Sequence, residues 1–201
     1  VTLALIDYGA GNLHSVANAL KAAGAQDVAI TADPDLVLRA DRIVLPGVGA
    51  FGACAAALRG VPGMVDALDQ RVRHDGMPFL GICVGMQLMA RVGEEMGEHR
   101  GLGWIEGRVR LLTPSDPSAK VPHMGWNDVR PTSPHPLIEA GEAYFLHSYA
   151  FEGDDVVATT DHADPVVAAI ARDNMAGVQF HPEKSQRYGL ELLKRFLTWR
   201  P

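Results

Sequence analysis

Runs of aliphatic and β-branched residues alternate with helix-like stretches through the first half of the chain, and this alternation constrains the fold more than any other feature. The runs are "TLALID" (2–7), "DVAIT" (27–31), "RIVLPG" (42–47) and "PFLGIC" (78–83), with the helical patterns "NLHSVANALKAAG" (12–24) and "VDALDQRVRH" (65–74) between them. Strands joined by helix-length crossovers pair in parallel. From Gly107 onward the pattern changes to successive strand candidates, "GRVRLL", "YFLHSYAF", "DVVATT", "PVVAAIA" and "MAGVQF", before a closing helix from Arg187 to Trp199. We therefore expect an α/β chain with a central, mostly parallel sheet, helices on both faces, and antiparallel strands added to the same sheet system. One domain over residues 1–201 accommodates this length. The Pro- and Ser-rich "TPSDPSAKVP" (113–122) reads as a surface excursion within it.

No apolar stretch approaches the roughly 20 residues that span a bilayer, so no membrane insertion is expected. Asp7 interrupts the opening "VTLALIDYGAGN", which reads as a strand and not as a signal peptide; a cytoplasmic protein is the expectation. A formal net charge of −6 and a pI near 5.7 give no general attraction for nucleic acid or an anionic membrane. The two cysteines, Cys54 and Cys83, have no CxxC spacing and read as free thiols. Cys54, within "ACAAAL", reads as a small buried residue.

Cys83 is different. Gly81-Ile82-Cys83-Val84-Gly85 has the G-x-nucleophile-x-G form of a sharp strand-to-helix turn, whose small flanking residues relieve crowding around a strained central position. Such a turn projects the side chain outward and sets the sulfur at a helix N-terminus, where backbone N–H groups and the macrodipole favour a thiolate. Inert burial is the competing reading for a lone GxCxG, so a base is needed to decide between them. The stretch "GVQFHPEKS" (177–185) supplies one. His181 and Glu183 are two residues apart, a spacing that faces the same side in extended chain, and Pro182 biases His181 toward the extended region. The carboxylate then reaches one imidazole nitrogen and leaves the other for the thiol proton, as in a nucleophile–base–orienter triad. For an oxyanion hole, Pro46-Gly47-Val48-Gly49 follows the strand "RIVL", and glycines on both sides of one residue free its peptide units to turn; the residue after the nucleophile, Val84, offers a second N–H.

With these three pieces in place the chain resembles the class I (triad-type) glutamine amidotransferases, and among them the glutaminase subunits of imidazole glycerol phosphate synthases of histidine biosynthesis. The resemblance is carried by "IDYGAGNLHSV" (6–16), "LPGVGAF" (45–51), "GICVGMQLM" (81–89), "GLGWIEG" (101–107), "KVPHMGWN" (120–127), "YFLHSY" (144–149) and "GVQFHPEKS". GICxGMQ and FHPEKS specify the broad class; the opening stretch, PGVG and PHMGWN narrow it. Many relatives carry adjacent glycines where PGVG stands here, which bears on whether the oxyanion hole is formed in the free protein.

The resemblance implies a flavodoxin-like three-layer sandwich in which Cys83 attacks the side-chain amide of glutamine, His181 acts as base and then acid, and Glu183 orients it. It implies oxyanion donors at Val48 and Val84, and glutamine-holding residues at Gly49, Gln87, Glu95, Ser148 and Tyr149. It also implies a partner, a (β/α)8 cyclase subunit in a heterodimer, which accepts ammonia and makes imidazole glycerol phosphate and AICAR. Met124, Trp126, Asn127 and Tyr144 match family positions near that contact, with core packing as the alternative for Met124. No cofactor is implied. His74, His99, His123, His135, His147 and His162 show no metal-ligand spacing, and no metal is expected. "DYGAGN" (7–12) lacks the third glycine of a dinucleotide loop and reads as a tight turn. A glutaminase serving vitamin B6 synthesis is the competing enzyme, disfavoured by PHMGWN; a binding module that lost its chemistry is disfavoured by the intact Cys83, His181 and Glu183.

Overall fold

A computed structural model describes residues 2–201. Its main sheet has nine strands in the order β2-β1-β3-β4-β13-β12-β11-β8-β9. One half is parallel: β1 (Thr2–Ile6), β2 (Asp27–Thr31), β3 (Arg42–Leu45), β4 (Phe79–Ile82) and β13 (Met175–Val178). The other half is antiparallel and is built from β12 (Asp164–Arg172), β11 (Val156–His162), β8 (His123–Pro131) and β9 (Gly141–His147). Strands β3, β4 and β13 are buried at every position. A strand buried on both faces reads as a continuous apolar run, which is why "RIVL" and "FLGI" show no alternation.

Two groups of helices provide that cover. One consists of α1 (Leu13–Ala22) against α6 (Gln186–Thr198). In the other, α4 (Met64–Leu68), which runs on into a wider π turn (Asp69–His74), packs against α2 (Pro34–Arg39) and α3 (Phe51–Gly60). The buried faces of α1 (Val16, Ala17, Ala19, Leu20) and α6 (Gly189, Leu192, Leu193, Phe196) recur every three or four residues, the helical spacing. Asp33 caps α2 by accepting from the Asp35 N–H at 2.9 Å, with Pro34 at the first helical position.

Two expectations need correction. The later strands do not all join the main sheet: β7 (Ile105–Leu111) pairs with β10 (Tyr149–Gly153) and β5 (Ala90–Gly93), and β5 with β6 (His99–Arg100), in a separate four-stranded sheet. "YFLHSYAF" is accordingly two strands, β9 and β10, which part at Ser148 and enter different sheets. The strand "MAGVQF", grouped with the antiparallel additions, is β13 and pairs in parallel with β4. The helix after Cys83 begins at Val84 as expected and is short. α5 spans only Val84–Gln87 before the chain turns into β5, because Leu88, Met89 and Ala90 are fully committed to packing and to the backbone bonds that hold residues 101–105. The regular elements α2, α3, β5, β6 and β8 have no counterpart among the sequence patterns above. Among the described residues no helix is long and apolar enough to cross a membrane.

Candidate active site

Three neighbouring parallel strands, β3, β4 and β13, end at one edge of the main sheet. The residues just beyond their carboxyl ends are Gly47–Gly49, Cys83 and His181. Open α/β sheets present their sites at such strand ends.

Cys83 stands at φ 53°, ψ −112°, a conformation that costs a non-glycine residue about 1–3 kcal/mol. The surrounding backbone enforces it. A Cβ on Gly85 would lie 1.9 Å from the Leu45 carbonyl oxygen, and one on Gly81 would lie 2.7 Å from the Gly85 oxygen. Both glycines of GxCxG are therefore needed for close approach, so that α5 can press onto the end of β3. The Cys83 N–H is tied to the Val178 carbonyl at 2.8 Å, which fixes the turn against β13.

His181 is held by its backbone. Its N–H donates to the Tyr144 carbonyl (2.9 Å), and the buried Ser185 hydroxyl donates to its carbonyl (2.6 Å) while accepting from the Tyr144 N–H (2.9 Å). His181 is extended, as Pro182 requires, but the next residues curl into a 3-10 turn (Pro182–Lys184) in place of a continued strand. From that turn Glu183 reaches His181 Nδ1 at 2.9 Å. Both side chains are under 5% exposed, and the second carboxylate oxygen has no partner. Burial pulls the His181 imidazolium down, yet its interactions with Cys83 and Glu183 outweigh this and lift it to about 9. A proton on the ring is thereby favoured beside the sulfur at neutral pH.

The cleft at this edge, ≈ 290 Å³, is lined by Cys83, His181, Val48, Gly49, Val84, Gln87, Glu95, Ser148 and Tyr149, all singled out from the sequence. Glu183 stands behind His181. Glu95 also accepts from the Phe51 N–H (2.8 Å), the first residue of α3, and so caps that helix. Pro122, Leu146, His147 and Lys184 complete the lining and were not anticipated; Lys184 and His147 are direct chain neighbours of residues that were. A larger groove of ≈ 690 Å³, lined by residues such as Arg59, Arg91 and Glu106, contains none of these groups.

The two oxyanion candidates do not converge on open space. The Val84 N–H faces the Gly47 carbonyl at 3.4 Å, so the Gly47–Val48 peptide presents its oxygen where a hole would need an N–H. Gly49, at φ 99°, is the glycine of this loop in a conformation other residues resist. Of the four contact candidates, Met124 is 65% and Trp126 48% exposed, which removes core packing as an explanation for Met124. In the β8–β9 pairing Trp126 stands opposite Tyr144 and Met124 opposite Leu146; Lys184 lies over the Tyr144 ring at 5.9 Å. Asn127 is half-buried and bonds His123 and the Asp161 carbonyl (3.0 and 2.7 Å). Cys54 is buried and directs its thiol at the Val48 carbonyl, 3.3 Å away.

Comparison with known proteins agrees with this geometry. The family described as Glutamine amidotransferase class-I matches residues 4–199. The chain is 63% identical to the imidazole glycerol phosphate synthase subunit HisH of Zymomonas mobilis, over all of this chain and 97% of that one. It is 51% identical to the protein of the same name from Caulobacter vibrioides, covering 100% and 99%. A crystal structure described as a glutamine amidotransferase superposes with a TM-score of 0.76 at 17% identity, covering 98% of both chains, and the PurLQS structure from Thermotoga maritima gives 0.70 at 18%, covering 98% and 97%; at these identities the likeness concerns the fold. The chain belongs to the class I glutamine amidotransferases and, within them, to the family of HisH glutaminase subunits of imidazole glycerol phosphate synthase.

Proposed function

We propose that residues 1–201 act as one glutaminase unit in which Cys83, His181 and Glu183 hydrolyse glutamine and pass ammonia to a cyclase partner. The observation that carries this reading is the meeting of sulfur, imidazole and carboxylate at the ends of adjacent parallel strands, in a cleft of amino-acid size. Gly49, Gln87, Glu95, Ser148 and Tyr149 hold the α-ammonium and carboxylate of glutamine. The Cys83 sulfur attacks the side-chain carbonyl carbon, His181 gives its proton to the departing ammonia, and a γ-glutamyl thioester remains. Water, deprotonated by His181, then attacks the thioester and releases glutamate. Glu183 keeps the Nδ1–H tautomer and favours the imidazolium.

The tetrahedral intermediate needs N–H donors, which Val84 and Val48 supply once the Gly47 carbonyl has turned away. The free subunit is then slow, and a loaded partner that favours the turned peptide raises the rate. Membership of a synthase subunit family implies a partner subunit. A (β/α)8 cyclase forming a heterodimer is the partner that fits, because free ammonia is protonated in water and needs a closed path to its acceptor. The exposed Val48 and Leu146 line the cleft, and exposed Met124, opposite Leu146, and Trp126, opposite Tyr144, carry an apolar surface on along the β8–β9 pair for that contact, with Asn127 beside them. The setting is cytoplasmic. Glutamate release with and without a purified cyclase and its nucleotide tests the reading: the parent should be strongly activated by the complex, Cys83→Ala should be inactive, and a free chain as fast as the complex would exclude the switch.

A further inference from the structure

Gln179 has no part in the triad, the oxyanion loop or the amino-acid contacts, yet it is fully buried against the nucleophile. It is 0% exposed, two residues before His181, and its Nε2 points at Cys83 Sγ from 3.7 Å. Its Oε1 accepts from Gln87 Nε2 at 3.0 Å. A buried carboxamide is expensive unless each end is used, and here both are.

The direction of that amide is fixed from outside. The Tyr149 carbonyl, which can only accept, receives His147 Nδ1 and Gln87 Nε2, both at 2.9 Å. Gln87 therefore spends one amide hydrogen on Tyr149 and the other on Gln179, whose oxygen must face Gln87 and whose N–H must face the sulfur. His147, with its proton on Nδ1, offers Nε2 as an acceptor to His123 Nδ1 at 3.0 Å, and His123 Nε2 in turn accepts from Asn127 Nδ2 at 3.0 Å. Each member of this run from Asn127 has one permitted orientation.

We propose that Gln179 is a catalytic residue of this glutaminase, its carboxamide N–H stabilising the Cys83 thiolate and holding the sulfur at the cleft. The inference rests on the glutaminase reading above. The other titratable groups around the sulfur are His181, Tyr8 and Cys54, with Glu95, His147 and Lys184 lining the cleft; none of them bonds Gln179 directly.

The test follows alkylation of Cys83 by iodoacetamide against pH, located by peptide mapping in the full chain, together with glutamate release by the complex. Gln179→Met keeps the volume and removes the donor. Because a hydrogen bond to a charged group is worth about a factor of ten or more, the alkylation profile should move up by about one pH unit. Glutamate release at pH 7.5 should fall about tenfold, with KM for glutamine changed less than about twofold. Gln179→Glu retains the acceptor for Gln87 and covers a failure of the Met variant to fold; a carboxylate facing the sulfur should move the profile the same way and farther. Folded variants whose alkylation profiles overlay the parent, while the parent complex releases glutamate, overturn the role of Gln179. A parent complex that releases no glutamate overturns the glutaminase reading instead.

Discussion

Replacing Glu183 by glutamine isolates what its charge contributes. His181 is lifted to about 9 from an ordinary 6.5, which corresponds to about 3 kcal/mol in favour of the imidazolium. Cys83 and Glu183 share that effect and together supply more than the net, since burial opposes them. The carboxamide introduced by Glu183→Gln keeps the shape and can still accept the Nδ1 proton, so the tautomer survives while the charge is lost. A fall of at least about one unit follows, or about 1.4 kcal/mol. The sign is set by the direction of the shift: a raised group keeps its proton until pH passes its folded value. In the parent complex, glutamate release should hold up to about pH 9 and decline above it. In Glu183→Gln the decline should begin near pH 8 or lower, and kcat at pH 7.5 should drop about tenfold. The assay is glutamate release at saturating glutamine from pH 6 to 10, with Cys83→Ala as the blank. The stabilisation from the raised His181 is complete below about pH 6.5 and lost as pH passes about 9, so the variant should lose more urea resistance at pH 6 than at pH 10. A variant whose alkaline limb stays near 9, with kcat within about threefold of the parent, would refute the reasoning.

Other perturbations reach other parts of the account. Gly85→Ala places a Cβ 1.9 Å from the Leu45 carbonyl; a urea melt should show a loss of about 3 kcal/mol or more, or no folded protein. His123 and His147 are depressed by burial to about 3 and about 4. Because the unfolded chain then takes up their protons first, stability is present above about pH 6.5 and is lost as pH falls toward 4; at pH 5 the cost is about 2 kcal/mol for each, read as a lower urea midpoint than at pH 7.5. Trp126→Ala should weaken binding of the cyclase by about tenfold or more in a titration, while the free chain melts as the parent does.

Much of the site was legible because its parts are local in sequence. The elbow needs glycines at 81 and 85, and the clash distances at those positions show why the motif tolerates nothing larger. His181 and Glu183 were paired by an i, i+2 rule with Pro182 between them, and the pair forms, although through a 3-10 turn that periodicity cannot foretell. Four strands of the parallel half followed from apolar runs alternating with helical patterns, whereas β13 was grouped with the antiparallel additions and lies parallel to β4. What escaped depends on the assembled molecule. "YFLHSYAF" is apolar on both sides of a central His147-Ser148 pair, and that pair alone does not mark where the chain leaves one sheet for another. α3 lacks an N-capping side chain of its own, since Ala50 precedes it and its cap comes from Glu95. Gln179 lies 92 and 96 residues from Gln87 and Cys83, and His123 lies 24 from His147, so only tertiary packing brings these groups together.

Trapping the covalent intermediate is the most direct check on the proposed chemistry. The complex is quenched during glutamine turnover and its peptides are mapped by mass. A single γ-glutamyl group on the peptide carrying Cys83, absent in Cys83→Ala, is the predicted result; undiminished glutamate release by Cys83→Ala, or the acyl group found on Cys54, would contradict it.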